Sequence, residues 1–269
     1  MFYQSIRIQI AIITKLINNT KFKIDKGDHL LDTHTHILWN IDDGSKNQCM
    51  SLQMLEIAAR SGTKAIFATP HVIERANKPS WEEIKEKTQQ LRQLCAEAQI
   101  DIMLYPGAEV QMNWELLPEL GATGAYCLNG GRYLLIELPA AEIPAYADEF
   151  WYELELKGIT PILAHPERYQ QLRENPDLLL LWRRRGMLMQ CNSGSFTGMF
   201  GSSVCENAKV LLANGLVDLL GSDGHRSEGR NTDMSRAAAV IRQLAGEEVL
   251  RQLTETNPQA ILKNQEIEL

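Results

Sequence analysis

The sequence predicts an α/β domain whose parallel strands form a barrel-like sheet. After residue 28, seven short apolar segments alternate with longer segments of helical periodicity. This alternation favours parallel strands, because each strand is then joined to the next by a crossover helix. The chain has 269 residues and no proline- or serine-rich break after residue 28. It can therefore form one barrel, which typically needs about 250 residues.

The seven predicted strands are short and rich in aliphatic residues, as buried parallel strands are. They are Leu30–His34, Lys64–Thr69, Ile102–Pro106, Tyr133–Leu138, Thr160–Ala164, Met187–Gln190 and Val217–Gly221.

Helices are predicted between the strands from periodicity and from end signals. Gln48–Ser61 has a buried face and is followed by Gly62, and Ser80 with Glu83 forms a capping box for a helix to about Gln99. Three further helices are each followed by a glycine, the residue favoured just beyond a helix end. They are Ala145–Lys157, Pro176–Arg185 and Ser203–Asn214.

Composition limits the classes of partner. The net charge of −7 and the pI near 5.5 argue against a nucleic acid bound by bulk electrostatics. Five widely spaced cysteines without a Cys-x-x-Cys motif indicate a reducing compartment, and we expect a cytoplasmic protein. No uninterrupted apolar stretch is long enough to span a membrane.

Residues 1–27 form an N-terminal extension ahead of the predicted domain, which covers residues 28–269. Ile8–Ile17 is rich in apolar residues but lacks the cleavage site of a secretory signal. It could be an amphipathic interfacial segment, a helix packed on the domain or a poorly ordered extension, and the sequence does not choose between them.

Polar residues follow every predicted strand. Five of the six histidines lie at strand ends, and only His29 does not. Because the carboxyl ends of parallel strands meet at one rim, these side chains should lie together. The rim residues are His34, His36, Asp42, Asp43, His71, Glu109, Glu137, His165, Glu167, Arg168, Cys191, Asn192, Asp223 and His225.

Such a rim is typical of a metal centre. His34 and His36 point to the same face of a strand. Taken alone, such a pair could be two surface histidines, but the whole set has more donors than one ion needs. Nitrogen and oxygen ligands without thiolates suit borderline or hard divalent ions. Two or three ions bridged by a carboxylate such as Glu109 would polarise a phosphoryl group and generate hydroxide near neutral pH.

The ordered motifs DTHTH, ATPH, GAE, AHPER and SDGH resemble the PHP (polymerase and histidinol phosphatase) superfamily. IDDGSKNQCMSLQM, LLIELP, HPERY, CNSGSFTGMFG and NPQAILKN narrow the resemblance. Together they are similar to the bacterial manganese-dependent protein-tyrosine phosphatases of capsular and extracellular polysaccharide systems (CpsB/YwqE type). The resemblance covers about residues 29 to 265, so it leaves the N-terminal extension out.

The resemblance implies a distorted (β/α)7 TIM-like barrel of the PHP type with three metal ions, most simply Mn²⁺, with Zn²⁺, Fe²⁺ or Co²⁺ as alternatives. By the same resemblance the first ion would be held by His34, His36, Glu109 and Asp223. The second would be held by Glu109, His165 and Glu137, the last of which could instead face the core or orient a neighbouring histidine. The third would be held by Asp42, His71 and His225, with Asp43 as the alternative to Asp42.

Arg168 and Arg230 are the candidate phosphate-binding residues, because a guanidinium group can bind two phosphate oxygens at once. The alternatives are a surface ion pair for Arg168 and a solvated loop for Arg230. Asn192 and Ser193 lie on the rim as well and could merely shape a loop.

Two positions depart from the family pattern. Trp39-Asn40 stands where the family commonly has Pro-Gly or Pro-Ala, which predicts a bulkier entrance beside the metals. Arg226 follows His225 where the family usually has Asn.

The implied function is hydrolysis of phosphotyrosine in a protein, most simply a polysaccharide-export tyrosine kinase, in control of capsule synthesis. A cysteine-dependent phosphatase is excluded, because no cysteine is followed six residues later by arginine. The alternatives are a small-molecule phosphatase of the same superfamily, acting on histidinol phosphate or a nucleotide, and a non-catalytic phosphotyrosine-binding module. A nuclease is disfavoured by the acidic charge balance.

Overall fold

The computed structural model describes residues 29–120 and 124–268, and the N-terminal extension predicted above lies outside this range. All strand pairs in the two sheets are parallel. The order is β1-β2-β4 in one sheet and β3-β5-β6-β7-β8-β9 in the other. The strands are β1 Leu30–Thr35, β2 Thr63–Ala68, β3 His71–Val72, β4 Met103–Pro106, β5 Glu109–Gln111, β6 Tyr133–Glu137, β7 Thr160–Ala164, β8 Leu188–Asn192 and β9 Leu219–Gly221.

Helices connect the strands, as predicted, and Ser80 accepts a hydrogen bond from the Glu83 N–H at 3.1 Å. The segment after β9 is also helical, which the sequence patterns did not predict. The helices are α1 Gln48–Arg60, α2 Trp81–Glu97, α3 Ala147–Leu156, α4 Gln170–Glu174, α5 Asp177–Arg184, α6 Ser193–Phe196, α7 Ser202–Ala213, α8 Ser235–Ala245, α9 Glu247–Arg251 and α10 Asn257–Leu262.

All seven predicted strands are present within a few residues, but two of them continue after a break as β3 and β5. Thr69-Pro70 separates β2 from β3, and Gly107-Ala108 separates β4 from β5. The breaks step the chain from one sheet to the other: Gly107 N–H donates to Ala68 O at 2.9 Å and Glu109 N–H to Pro70 O at 3.0 Å. A glycine fits closely at position 107, because a Cβ would lie 2.6 Å from Leu128 Cδ2 and the leucine side chain would have to shift.

The sheets curl until the segment after β9 lies beside β1. Asp223 N–H donates to His34 O at 2.7 Å, and His36 N–H donates to Gly224 O at 3.0 Å. The approach is close at Gly221, where a Cβ would lie 2.5 Å from the Cβ of His34. The first and last predicted strand ends are thereby brought together.

Alternate residues of the strands face two hydrophobic clusters, as the period of two requires. In β6, Leu134 and Ile136 pack in the large cluster beneath the helices, whereas Tyr133 and Leu135 pack in a small inner cluster with Ile162. The C-terminal segment covers the inner cluster: Ile261 belongs to it, and Leu262 and Ile267 pack against it. Tyr133, the first residue of β6, donates from Oη to Gln265 O at 2.5 Å. The C-terminal segment therefore lies at the amino end of this strand, and the polar rim lies at the opposite, carboxyl ends.

Within the described residues, no helix is long and apolar enough to cross a membrane.

An ion pair far from the rim supports the fold between α5 and β9. Asp218 Oδ2 accepts from Arg183 Nη1 at 2.7 Å and from Met189 N–H at 2.8 Å. The Asp218 side chain is 6% exposed, so both partners would lose their acceptor in a largely dry environment if the carboxylate were removed.

We therefore expect Asp218→Ala to lower the free energy of unfolding by about 2–3 kcal/mol. Denaturant unfolding monitored by circular dichroism measures it. Asp101→Ala is the matched control, because its carboxylate is 93% exposed in its pair with Lys64 and its removal should leave the midpoint unchanged. Equal midpoints for the two variants would contradict this role of Asp218.

Candidate metal centre

Two histidines at the end of β1 begin the site, one inside the strand and one just after it. His34 and His36 are fully buried, and their Nε2 atoms lie 3.1 Å apart. Glu109 Oε2 lies 3.1 Å from the first Nε2 and 3.2 Å from the second, and Asp223 Oδ1 lies 3.5 and 3.4 Å from them. Four side chains from three strand ends thus converge on one buried point, which is the arrangement of ligands around a cation.

The other ring nitrogen of each histidine has an oxygen partner. Gln190 Oε1 lies 3.0 Å from His34 Nδ1, and Asp42 Oδ2 lies 2.7 Å from His36 Nδ1. These contacts favour a proton on Nδ1, which leaves Nε2 free to bind a cation. Asp42 therefore contacts His36 Nδ1 and orients the ring, although the resemblance implied that Asp42 binds the third ion.

A second group of donor atoms contains His36, Asp43, His71 and His225, all within 4.8 Å of one another. Asp43 Oδ1 lies 3.3 Å from His225 Nε2 and 3.7 Å from His71 Nε2. The carboxylate that faces this group is thus Asp43. Asp42 accepts the backbone N–H of His71 at 3.0 Å instead.

A third group contains His71, Glu109 and Glu137. His71 Nδ1 lies 3.1 Å from Glu109 Oε2 and 3.5 Å from Glu137 Oε1. The other oxygen of Glu109, Oε1, lies 2.8 Å from His165 Nε2. Glu109 therefore faces histidines through both oxygens, as a bridging carboxylate does.

Burial and neighbouring charges move the pKa values of these groups apart. Burial raises the pKa of Glu109, but the charge of His34 and the hydrogen bond from His165 outweigh this effect, so the net pKa lies well below the ordinary value. Burial, followed by the charge of Glu109, raises the pKa of Glu137 to about 8. Burial lowers the pKa of His71 to about 4, which keeps the ring neutral, the form in which imidazole binds metals.

Asp223 joins the donor groups to two arginines. Its Oδ1 faces the histidines, whereas Oδ2 accepts from Arg168 Nη1 at 3.1 Å, from Asn192 Nδ2 at 2.6 Å and from Arg230 Nη2. Both arginine side chains are partly exposed, Arg168 at 32% and Arg230 at 29%. They are thus accessible from outside while lying directly beside the donor groups.

A strained turn carries His165 and Arg168. His165 has a φ of 37°, and Pro166–Arg168 forms one turn of 3₁₀ helix. Glu167, which is fully buried, accepts from Asn192 N–H at 2.9 Å and from Ser195 Oγ at 2.6 Å. These bonds fix the turn to the end of β8 and thereby set the position of both functional side chains.

The sequence patterns missed three supporting residues: Asp32, Gln190 and Glu167 as an anchor. Asp32 Oδ1 accepts from Ser222 N–H at 2.8 Å and from His34 N–H at 3.2 Å, which ties β1 to the segment that carries Asp223. The sequence signal that could have identified such residues is a polar residue inside an otherwise apolar strand, such as Gln190 in the segment Met187–Asn192.

The two departures from the family pattern have different outcomes. Trp39 is 8% exposed and belongs to the large core cluster, with Lys87 Nζ 5.0 Å from its ring centroid. The expectation that its ring makes the entrance bulkier is therefore wrong, because the ring packs inward. Arg226 Nη1 donates to Gly44 O and to His225 O, each at 2.8 Å, and to Asp43 O, so it fastens the Asp43 loop to the His225 loop.

The residues fit a centre of divalent ions. Among the described residues, buried polar atoms without a hydrogen-bond partner include His71 Nδ1, His165 Nδ1 and Asp223 Oδ1. The three groups of donors offer nitrogen and oxygen but no thiolate. Such buried, convergent donors are satisfied by borderline or hard divalent ions.

The chain is similar to known proteins along most of its length. A sequence model of the family described as "Capsular polysaccharide synthesis, CpsB/CapC" matches residues 30–263. Tyrosine-protein phosphatase YwqE of Bacillus subtilis is 34% identical over 238 residues, which are 88% of this chain and 93% of the relative. Tyrosine-protein phosphatase CpsB of Streptococcus pneumoniae is 28% identical over 241 residues, or 88% and 99% of the two chains.

Solved structures agree with these matches. A crystal structure from a study of YwqE and CpsB, described as unique metal-dependent tyrosine phosphatases, superposes with a TM-score of 0.83 at 33% identity. It covers 89% of this chain and 96% of the other. Histidinol phosphate phosphatase of Lactococcus lactis shares the fold, with a TM-score of 0.52 at 15% identity over 81% of this chain and 94% of that one.

We expect His36→Ala to lower the amount of metal bound per chain, because it removes the nitrogen shared by two donor groups. Elemental analysis after incubation with Mn²⁺ and gel filtration measures this. His29→Ala is the control, since His29 is exposed and lies outside all three groups. Equal metal content in the His36 variant and wild type would contradict the site.

We expect Gln190→Leu to weaken metal binding by about ten- to a hundredfold, because His34 would lose the acceptor that orients its ring. Titration of the metal-free protein with Mn²⁺ in a calorimeter gives the affinity. Gln93→Leu, on the exposed side of α2, makes the same chemical change without touching the site. An unchanged affinity in the Gln190 variant would show that this contact does not orient His34.

Proposed function

Because the chain belongs to the CpsB/CapC family of capsular polysaccharide synthesis proteins, we propose that it is a metal-dependent protein-tyrosine phosphatase. The observation that carries the proposal is the pairing of three donor groups with two arginines on opposite oxygens of Asp223. Cations and guanidinium groups side by side form a site for a phosphoryl group.

The proposed ligands are those of the resemblance with one revision. His34, His36, Glu109 and Asp223 hold the first ion, and Glu109, His165 and Glu137 hold the second. His71 and His225 hold the third together with Asp43, because Asp43 faces both rings whereas Asp42 orients His36. Mn²⁺ is the proposed metal, and Zn²⁺, Fe²⁺ and Co²⁺ suit the same donors.

The chain's own residues bind and orient the substrate. When bound, the ions supply Lewis acids for the phosphoryl oxygens and a nucleophile from water near neutral pH. Arg168 and Arg230 bind the remaining phosphoryl oxygens and neutralise the charge that develops during displacement. Both arginines donate to Asp223 Oδ2, so the carboxylate holds them in place for an incoming anion.

Thiol chemistry has no support in this site. Burial raises the pKa of Cys127 to about 12 and that of Cys191 well above its ordinary value. A nucleophilic thiolate requires the opposite shift. These two cysteines therefore contribute packing rather than catalysis.

The finer points of fold and biology are part of the same proposal. We propose that the two curled sheets form a distorted (β/α)7 barrel within a domain of residues 28–269, supported by the backbone hydrogen bonds between β1 and the segment after β9. The proposed substrate is a phosphotyrosine protein, most simply a tyrosine kinase of polysaccharide export in the cytoplasm. The control of capsule synthesis follows from that substrate.

The test is a comparison of substrates with metal-depleted protein to which Mn²⁺ is returned. We expect phosphate release from a phosphotyrosine peptide only with metal, and much slower release from histidinol phosphate and from a phosphoserine peptide.

Faster turnover of histidinol phosphate would instead favour the small-molecule phosphatase. Peptide binding without phosphate release at any metal concentration would favour the non-catalytic module. Elemental analysis of the protein as purified identifies the metal. If another ion predominated, that ion would replace Mn²⁺ in the proposal.

A further inference from the structure

One aromatic side chain is shared by the two arginines of the rim. Phe200 follows α6 and is partly exposed. The guanidinium carbon of Arg168 lies 4.6 Å from its ring centroid, and that of Arg230 lies 5.6 Å from it. Both distances are within the range of cation–π attraction.

The two arginines need such a partner because they converge. Both donate to the same oxygen, Asp223 Oδ2, so two like charges lie close together. Asp223 also offers its other oxygen to the histidine groups, so one carboxylate has to serve both the arginines and the donors around it. A ring that attracts both cations offsets their repulsion without adding another negative charge that would repel phosphate.

The backbone beneath Phe200 is built to hold the ring. A Cβ on Gly194 would lie 3.1 Å from Phe200 Cε2 and 2.9 Å from Met199 Sδ. Met199 N–H donates to Gly194 O at 3.0 Å, which folds the loop onto α6. Glu167 binds Ser195 of the same helix, so the Phe200 loop and the turn that carries Arg168 form one unit.

We propose that Phe200 is a positioning residue that holds Arg168 and Arg230 in the spacing needed to bind the phosphoryl group. The inference rests on the proposed phosphatase function and extends it to a residue that donates no hydrogen bond and binds no metal. Its effect is exerted through the two arginines, on anion binding and on the charge that they neutralise during displacement, and not through the metal ligands. Affinity for phosphate should therefore depend on the aromatic face at position 200.

The test compares Phe200→Leu, Phe200→Tyr and Phe196→Leu with wild type, all with Mn²⁺. We expect Phe200→Leu to raise both KM for a phosphotyrosine peptide and the inhibition constant of inorganic phosphate by about three- to tenfold. We expect kcat to fall as well, because the same arginines neutralise the charge that develops during displacement, and the metal content to be unchanged. Phe200→Tyr keeps the aromatic face and should restore both constants.

Phe196→Leu is the matched control, because Phe196 ends α6 just before this loop, is 2% exposed, and has no arginine over its ring among the described residues. It should lower the melting temperature but leave the phosphate constant unchanged. Equal phosphate constants in wild type and Phe200→Leu, with hydrolysis intact, would overturn the role of Phe200 alone. Wild-type protein that neither hydrolyses the peptide nor binds phosphate would overturn the proposed function as well.

Discussion

The structure depends on burying charged groups together at one edge of the curled sheet. Glu109 is 1% exposed, and a buried carboxylate is costly unless cations or hydrogen-bond donors surround it. Here four histidines surround it, and they are positioned by the carboxyl ends of different strands and by the loops that follow. Gly107 and Gly221 have no side chain, which lets the backbone pass close to its neighbours there. The strand ends can therefore come near enough for their side chains to meet.

Much of this could be predicted from the sequence because strand periodicity and strand ends are local properties. His34 and His36 share a face by the period of two, and parallel strands place their carboxyl ends at one rim, so a list of candidate rim residues could be written from strand order. The breaks at Thr69-Pro70 and Gly107-Ala108 could not, because they depend on contacts with Leu128 and with the neighbouring strand. For the same reason the sequence could not decide whether Asp42 or Asp43 is the ligand. The turn of the loop determines which of two adjacent side chains points inward, and a sequence pattern does not show that turn.

Non-local contacts also explain the residues that depart from the family pattern. Trp39 was expected at the entrance, but its position beside Lys87 is set by packing of the loop against α2, which no spacing rule reveals. Arg226 has three carbonyl acceptors on two loops. A long guanidinium side chain can reach all three at once, so this substitution adds a connection between the Asp43 and His225 loops rather than disturbing them.

Asp223 lies between the donor groups and the two arginines. The site therefore has one side that suits cations and one side that suits an anion. One oxygen faces His34 and His36, and the other holds Arg168 and Arg230. The donor groups and the guanidinium groups therefore share one carboxylate, so a phosphoryl group bound by the arginines would lie directly against the proposed metal ligands. The proposed role of Phe200 follows from this sharing, because its ring attracts both guanidinium groups beside a carboxylate that also faces the histidines.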